Sequence, residues 1–277
     1  MKALDDWVHA RRDTLTWLDC DRYVWSVFVG APDRWYDDPA TLVAATAQAH
    51  RLLRSDVFGV NVLGPFSRHL VGSGEVAAVC EVLELPAPRR VLADTLDALL
   101  HQLGDRVDIV LDCPSPRRLL ATGAGEVDFD VLDDVAAGLL EVIRAVADRP
   151  VRGLQITCDT ASGPDDDETD VWSSLLAAAG HYGWVTAVRL DGVTDPDQLD
   201  TGLPGDLLLL PRLGPDASPD DRRHGGGLPP SVWTDTAEAA RLVNAAAKRG
   251  FRFGEIPYDA PPETVLARIN ALTASEH

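Results

Sequence analysis

Acidic and phenolic side chains come directly after several of the apolar runs in this sequence. Asp112 and Asp159 lie at the ends of runs rich in valine, isoleucine and leucine, and Tyr258 follows the last run. A carboxyl group whose pKa is raised by apolar surroundings can act as a general acid or base. We therefore predict Asp112, Asp159 and Tyr258 as catalytic residues. The structural alternatives are a helix cap for each aspartate and a packing role for the tyrosine.

Arginines recur at similar positions. Arg117 follows the third apolar run, and Arg189 and Arg212 lie at the ends of the fifth and sixth. Because a guanidinium group binds a carboxylate through two parallel hydrogen bonds, we predict that these arginines hold a substrate carboxylate. The alternative is that each pairs with a neighbouring aspartate, as Arg189 can with Asp191. Two further residues complete the predicted substrate-binding set: Tyr36 and Asn61.

Two of the four cysteines, Cys113 and Cys158, end neighbouring apolar runs. Adjacent strands lie about 4.8 Å apart, so both thiols can reach the same end of a sheet. With Asp191 or Asp259, Cys158 would then offer zinc a mixed thiolate and carboxylate site. The alternative is a pair of small buried apolar residues, the usual role of free cysteine. We expect no cofactor, with zinc as the alternative.

Eight short apolar runs bounded by glycine, proline or aspartate predict eight strands buried on both faces. They cover residues 23–30, 57–64, 107–113, 151–158, 185–191, 206–212, 231–235 and 251–257. Segments with helical spacing separate them, at residues 39–54, 74–85, 91–103, 129–147, 170–181, 236–249 and 261–272. Residues 213–227, which include His224, are predicted to form a flexible loop.

Strands that alternate with helices predict a parallel sheet, and eight strands in one domain length predict a closed (β/α)₈ barrel. We expect one domain over residues 1–277, with a helical extension over 1–22. An open, doubly wound sheet is the alternative architecture. Neither GxGxxG nor GxxxxGK[ST] occurs in the chain, which disfavours it.

The composition is that of a globular protein with an acidic surface. The 277 residues are 45% apolar and carry a net charge of −19, which disfavours binding to nucleic acid or to anionic membranes. The four cysteines form no CxxC pair, and no apolar run reaches the ~20 residues of a membrane span. We expect a cytoplasmic protein that binds a small molecule, and a homodimer is an open possibility.

The order of motifs resembles the superfamily of uroporphyrinogen decarboxylase and cobalamin-independent methionine synthase. Residues 25–36 are similar to the first strand and loop of the decarboxylases, and 154–162 to the strand that carries the zinc-binding cysteine of the methyltransferases. The Pro-Pro-Glu-Thr-Val segment at 261–265 resembles the start of the superfamily's closing helix. The resemblance implies a (β/α)₈ barrel and either decarboxylation or methyl transfer.

The chain also departs from this superfamily at its functional positions. Phe28 and Val29 stand where the decarboxylases carry arginine, and Ile156 stands where the methyltransferases carry a zinc-binding histidine. Three hypotheses follow. The first is a lyase, of the decarboxylase type, that acts on a small carboxylated metabolite in specialised metabolism. The second is a methyltransferase with an altered metal site around Cys158. The third is a binding or partner subunit without catalysis.

Overall fold

The structure, a computed structural model, describes residues 2–30, 38–70, 76–120, 127–159, 164–198, 202–219 and 221–274. Eight parallel strands form a closed barrel in chain order, and the last strand pairs with the first. The predicted (β/α)₈ architecture is therefore confirmed. No helix in these described ranges is long and apolar enough to cross a membrane.

The strands are short and most are followed by helices. The strands are β1 (Leu15–Asp19), β2 (Val57–Asn61), β3 (Asp108–Pro114), β4 (Gly153–Cys158), β5 (Val185–Leu190), β6 (Leu207–Leu209), β7 (His224–Gly227) and β8 (Phe251–Glu255). The helices are α1 (Ala3–Val8), α2 (Asp21–Val24), α3 (Pro39–Leu53), α4 (Ser67–Leu70), α5 (Val76–Glu84), α6 (Pro86–Leu103), α7 (Pro116–Leu120), α8 (Phe129–Arg144), α9 (Asp166–His181), α10 (Ala237–Ala246) and α11 (Pro262–Ala274).

The first strand lies earlier in the chain than the sequence pattern predicts. The predicted strand at 23–30 is helical, because α2 continues into a π-helical turn over Trp25–Val29. Tyr23, Val24 and Trp25 are buried, whereas Val27 is exposed, so the packing of this segment overrides its preference for a strand. The turn ends at Gly30, whose φ of 71° favours glycine. Of the predicted helical extension over 1–22, only α1 is helical before β1, and β1 itself belongs to the barrel.

The seventh strand is also misplaced by the sequence pattern. Residues 230–233 form a 3₁₀ helix, and β7 lies in the segment predicted to be a flexible loop. This strand reads His-Gly-Gly-Gly because its neighbours leave little room for side chains. A Cβ atom on Gly225 would lie 2.6 Å from the ring of Phe251. Glycine therefore lets a large aromatic ring from β8 fill the barrel.

The helices agree better with the sequence. Asp38 caps α3 by accepting hydrogen bonds from the backbone of Ala40 and Thr41, as its position predicts. The predicted helix over 129–147 is largely confirmed by α8, whose apolar stripe is buried: Leu132, Val135, Leu139, Val142 and Ile143. These helices pack around the sheet and form the larger of two apolar clusters.

The smaller apolar cluster fills the barrel interior. Alternate residues of β1 and β8 belong to it, including Trp17 and Phe253, whose rings meet edge to face. Helix α1 adds Leu4 and Trp7 to this cluster, and the Leu4 amide donates to Asp108 at the start of β3. Helix α1 therefore closes the amino-terminal end of the barrel. The opposite end, here called the mouth, is lined by polar residues.

Candidate active site

A buried arginine lies at the centre of the mouth. Arg189, near the end of β5, is only 5% exposed and donates to carboxylates from three places in the chain. Its Nη1 donates to Asp19 at the end of β1, its Nε to Asp191 at 2.5 Å, and its Nη2 to Glu255 at 2.6 Å. Burial alone would lower the pKa of Arg189, but these carboxylates raise it. The guanidinium is therefore a permanent, fully engaged cation.

The carboxylates of the mouth outnumber its cations. Burial, followed by repulsion from Asp19, raises the pKa of Glu255. Burial, repulsion from Asp19 and repulsion from Asp112 raise the pKa of Asp21 well above its usual value. Asp21 begins helix α2 directly after β1, which explains its closeness to Asp19. Carboxyl groups in such surroundings retain protons to higher pH than exposed ones.

Asp112 is the predicted catalytic residue that lies well inside the mouth. It lies towards the end of β3, half-buried, between Asn61 on β2 and Gln155 on β4 in the strand register. Burial raises its pKa, the attraction of Arg189 opposes the rise, and Asp19 adds to it. Its Oδ1 accepts hydrogen bonds from Gln155 Nε2 at 2.8 Å and from Thr157 Oγ1 at 2.7 Å.

Asn61, a predicted substrate-binding residue, lies beside Asp112 in the strand register. Its Oδ1 accepts a hydrogen bond from the Leu63 backbone at 2.9 Å, which fixes the side-chain amide in a local turn. Its amide nitrogen is the group left to contact a ligand. Asn61 therefore stays a candidate for substrate binding.

Arg118 on α7 is a second cation at this end of the barrel. Its Nη1 lies 3.0 Å from an oxygen of Asp159 and 3.0 Å from an oxygen of Asp191. Since Asp191 also accepts from Arg189, the two arginines share one carboxylate. The Asp159 side chain is 56% exposed, so this predicted catalytic aspartate lies at the rim and serves Arg118.

The predicted cluster of substrate-binding arginines does not assemble. Arg117 pairs with Asp165 and Glu168 at the start of α9, and Arg212 is exposed in the turn after β6. Arg189 makes the internal ion pairs that were the alternative interpretation. Carboxylates of this acidic chain therefore engage Arg117 and Arg189, while Arg212 is exposed to solvent.

The two predicted tyrosines contribute less to the described site. Tyr258 follows β8 and is 54% exposed, so its hydroxyl lies in a solvated loop. Tyr36 lies outside the described residues. The described part of the site is therefore built from carboxylates, arginines and amides.

The arrangement around Cys158 does not match the predicted metal alternative. Cys113 and Cys158 are buried in the apolar layer between strands and helices, and burial raises the pKa of the Cys113 thiol. Asp191 is engaged by two arginines, and Asp259 is exposed. The described residues contain no group of three or more His, Cys, Asp or Glu side chains that could hold a metal ion. Cys158 alternates with Thr157, which faces the mouth, so its side chain faces the helices.

His224 is likewise a structural residue. It begins β7, is 7% exposed, and its Nδ1 lies 2.8 Å from the carboxylate of Asp221. The amino-terminal end of β7 is remote from the mouth, where strands end. The prediction of a mobile loop histidine is therefore wrong, because the histidine is fixed by this carboxylate at the start of a strand.

Sequence reasoning missed most of the residues that surround Arg189 and Asp112. Asp19 and Asp21 were missed because residues 15–19 were not identified as a strand. The alternation in Leu15-Thr-Trp-Leu-Asp19 is the signal that could have found them. Gln155 and Thr157 lie inside a continuous apolar run. Two polar residues at alternate positions of such a strand, which place both side chains on the same face, are the only sequence feature that could have identified them.

Comparison with known proteins gives no relative from which a role can be transferred. No protein-family model and no curated protein matches this chain. The resemblance to uroporphyrinogen decarboxylase and cobalamin-independent methionine synthase therefore stays a prediction.

Proposed function

We propose that the protein is an enzyme whose active site is the mouth, where Asp112 exchanges a proton with a small carboxylated metabolite in a lyase-type reaction. The observation that carries this proposal is the environment of Asp112. It is half-buried near the end of β3, with its pKa raised by burial, and is held by Gln155 and Thr157. Active sites of (β/α)₈ enzymes lie at this end of the barrel.

Arg118 is the better anchor for a substrate carboxylate. All three nitrogens of Arg189 are bonded to carboxylates, and the guanidinium is buried. Arg118 is 34% exposed, and its partner Asp159 is 56% exposed. Exposed ion pairs contribute about 0–1 kcal/mol, so a substrate carboxylate can replace Asp159 on Arg118 at small cost. This assigns carboxylate binding to Arg118 instead of Arg117, Arg189 and Arg212.

The proposed step is decarboxylation with protonation by Asp112. The bond between the substrate carbon and its carboxylate breaks, carbon dioxide leaves, and the electron pair stays on carbon. Asp112 then gives its proton to that carbon and regains one from solvent. The raised pKa suits this role, because it keeps a proton on Asp112 at a higher pH than an exposed aspartate allows.

A turnover assay with two variants tests the proposal. A panel of small carboxylic acids is incubated with the protein and release of carbon dioxide is followed. Asp112→Asn is expected to lower kcat at least ~100-fold, the usual contribution of a general acid. Arg118→Gln is expected to raise KM more than it lowers kcat, since the anchor binds ground state and transition state alike.

The matched control is Arg144→Gln, which removes an exposed arginine–glutamate pair on α8. It is expected to leave kcat and KM unchanged. Turnover that survives Asp112→Asn would contradict the proposed role of Asp112. Failure of every acid in the panel to react would contradict the proposed reaction.

One observation favours a second candidate, a binding or partner subunit without catalysis. The Arg189 ion pairs consume the central cation of the mouth and three of its carboxylates. Such a network can serve stability alone. Turnover of any acid in the panel would eliminate this candidate.

A further inference from the structure

Two buried donors converge on a single oxygen of Asp112. Gln155 Nε2 and Thr157 Oγ1 both donate to Oδ1, at 2.8 Å and 2.7 Å. Both side chains come from β4 and face the mouth, and they are 3% and 4% exposed. No such pair of bonds reaches Oδ2 from the residues that the structure describes. The two carboxyl oxygens of Asp112 are therefore chemically different.

The direction of these bonds is fixed by the number of available protons. Gln155 Nε2 donates both of its protons, one to Asp112 and one to Thr157 Oγ1 at 2.9 Å. The Thr157 hydroxyl accepts from Gln155 and gives its single proton to Asp112. The chain of hydrogen bonds therefore runs from Gln155 through Thr157 and ends at Oδ1. Both donor side chains are held in place because they are packed inside the barrel and almost fully buried.

We propose that Gln155 and Thr157 are positioning residues that keep the exchangeable proton of Asp112 on Oδ2. An oxygen that already accepts two hydrogen bonds is the carbonyl-like oxygen of the protonated carboxyl group, because a proton placed there would face two donors. The acid proton is thus directed from Oδ2, and the reacting carbon of the substrate must approach that oxygen. The inference rests on the proposed function for its catalytic meaning.

The same two bonds stabilise the ionised form of Asp112. Donors to a carboxylate lower its pKa, so Gln155 and Thr157 oppose the effect of burial. The charged groups that also act on Asp112 are Asp19 on β1, Asp21 on α2, Arg118 on α7 and Arg189 on β5. The two donors thus lower the pKa of Asp112 against the combined effect of burial and these charges.

The test measures the pKa of Asp112 in the free protein by ¹³C NMR of its carboxyl carbon, assigned with Asp112→Asn. Thr157→Val keeps the shape and removes the hydroxyl, so the pKa is expected to rise by about one unit, the effect of one lost hydrogen bond to a charge. Thr157→Ser retains the donor and should restore the wild-type value. Gln155→Met provides a second variant with the same expected direction.

The matched control is Thr186→Val. Thr186, on the neighbouring strand β5, also donates to an aspartate, Asp206, at 2.8 Å, but near the amino-terminal end of the barrel. This change should leave the pKa of Asp112 unchanged. Equal effects of Thr157→Val and Thr186→Val, or no effect of either, would overturn the inference.

The pH profile of kcat gives a second readout once a substrate is found. The pH at which kcat falls because Asp112 loses its proton should be higher in Thr157→Val. In Thr157→Ser it should equal the wild-type value. The NMR measurement needs no turnover. A pKa shift without any turnover would therefore contradict only the proposed function, and turnover without a pKa shift would contradict only the positioning role.

Discussion

Arg189 and Asp19 form an ion pair across the mouth of the barrel, although 170 residues separate them in the chain. Their strands, β5 and β1, are not neighbours in the sheet, so the pair crosses the open end. Glu255 on β8 and Asp191 bind the same guanidinium. One side chain thus connects distant parts of the barrel wall, and its removal should affect the whole domain.

We predict that Arg189→Met lowers the free energy of unfolding by about 3 kcal/mol at pH 7, because it removes the cation that Asp19, Asp191 and Glu255 share and, among the described residues, leaves only Asp191 with a second arginine, Arg118. The pKa of Glu255 is already raised by burial and by repulsion from Asp19, and loss of the opposing Arg189 charge raises it further above its value in the unfolded chain. Stability is then lost as pH rises, so the deficit should be larger at pH 7 than near pH 4. Urea unfolding at both pH values measures it.

The control for this measurement is Arg11→Gln, which removes an exposed pair of contacts with Asp5 and Asp6. Its cost should stay below about 1 kcal/mol. An Arg189→Met protein as stable as this control would show that the central ion pairs contribute nothing to the fold.

Asp112→Asn should stabilise the folded protein at neutral pH by about 1 kcal/mol while it abolishes the proposed reaction. Burial raises the pKa of Asp112, so the folded state binds its proton more tightly than the unfolded state does. The wild type therefore loses stability as pH rises from the unfolded pKa, about 3.9, through the folded pKa. Asparagine has no such dependence, and it can still accept from Gln155 and Thr157.

Thermal unfolding of wild type and Asp112→Asn between pH 3 and pH 8 checks this prediction. The curves should converge at low pH and separate as pH rises. A variant that is less stable than wild type at pH 7 would mean that the ionised carboxylate, with its attraction to Arg189, is the favoured form.

Gly225→Ala should destabilise the barrel by about 1–3 kcal/mol, the usual cost of overpacking a core. The added methyl group would lie 2.6 Å from the Phe251 ring. Gly180→Ala is the matched control, since Gly180 lies in α9 and, apart from its chain neighbours and the backbone of its own helix, no described atom lies within 4 Å of the new Cβ. It should stabilise the protein by about 0.5–1 kcal/mol. Calorimetric unfolding of both variants decides whether β7 needs glycine for space.

The four cysteines should differ in their reaction with a disulfide reagent. Cys80 on α5 is half-buried, whereas Cys20, Cys113 and Cys158 are buried. One thiol should therefore react readily in the folded protein, and all four after unfolding in guanidinium. Cys158→Ser should have the same number of fast-reacting thiols as the wild type. That result would show that Cys158 is not one of the accessible cysteines. A wild-type protein in which Cys158 reacts first would contradict its burial behind the barrel wall.

The barrel could be predicted because its middle strands are continuous apolar runs between clear helices. The exceptions have physical causes. Residues 23–30 have strand-like composition but form a helix and a π-helical turn after β1. Strand β7 has almost no side chains, since Phe251 and other neighbours occupy that space. Hydrophobic patterns report on side chains and cannot detect a strand made of glycine.

The sequence predicted the places of several candidate residues in the barrel better than the contacts that they make. Asp112, Asp159, Asn61 and Arg189 do lie at the carboxyl ends of strands, where the pattern places them. The partner of each arginine depends on which acidic side chains from other strands lie near it at the mouth. Glu255 and Asp19 reach Arg189 from residues far away in the chain, and no local spacing encodes that contact.

The Arg189 ion pairs also bear on how the chain is made. Synthesis proceeds from the amino terminus, so Asp19 leaves the ribosome long before Arg189, and Glu255 later still. A nascent chain that ends before β8 has an open barrel, and its Arg189 lacks the contact with Glu255. The mouth is therefore completed only when the final strand docks, and partial barrels released early would expose a charged, unclosed sheet to chaperones and proteases.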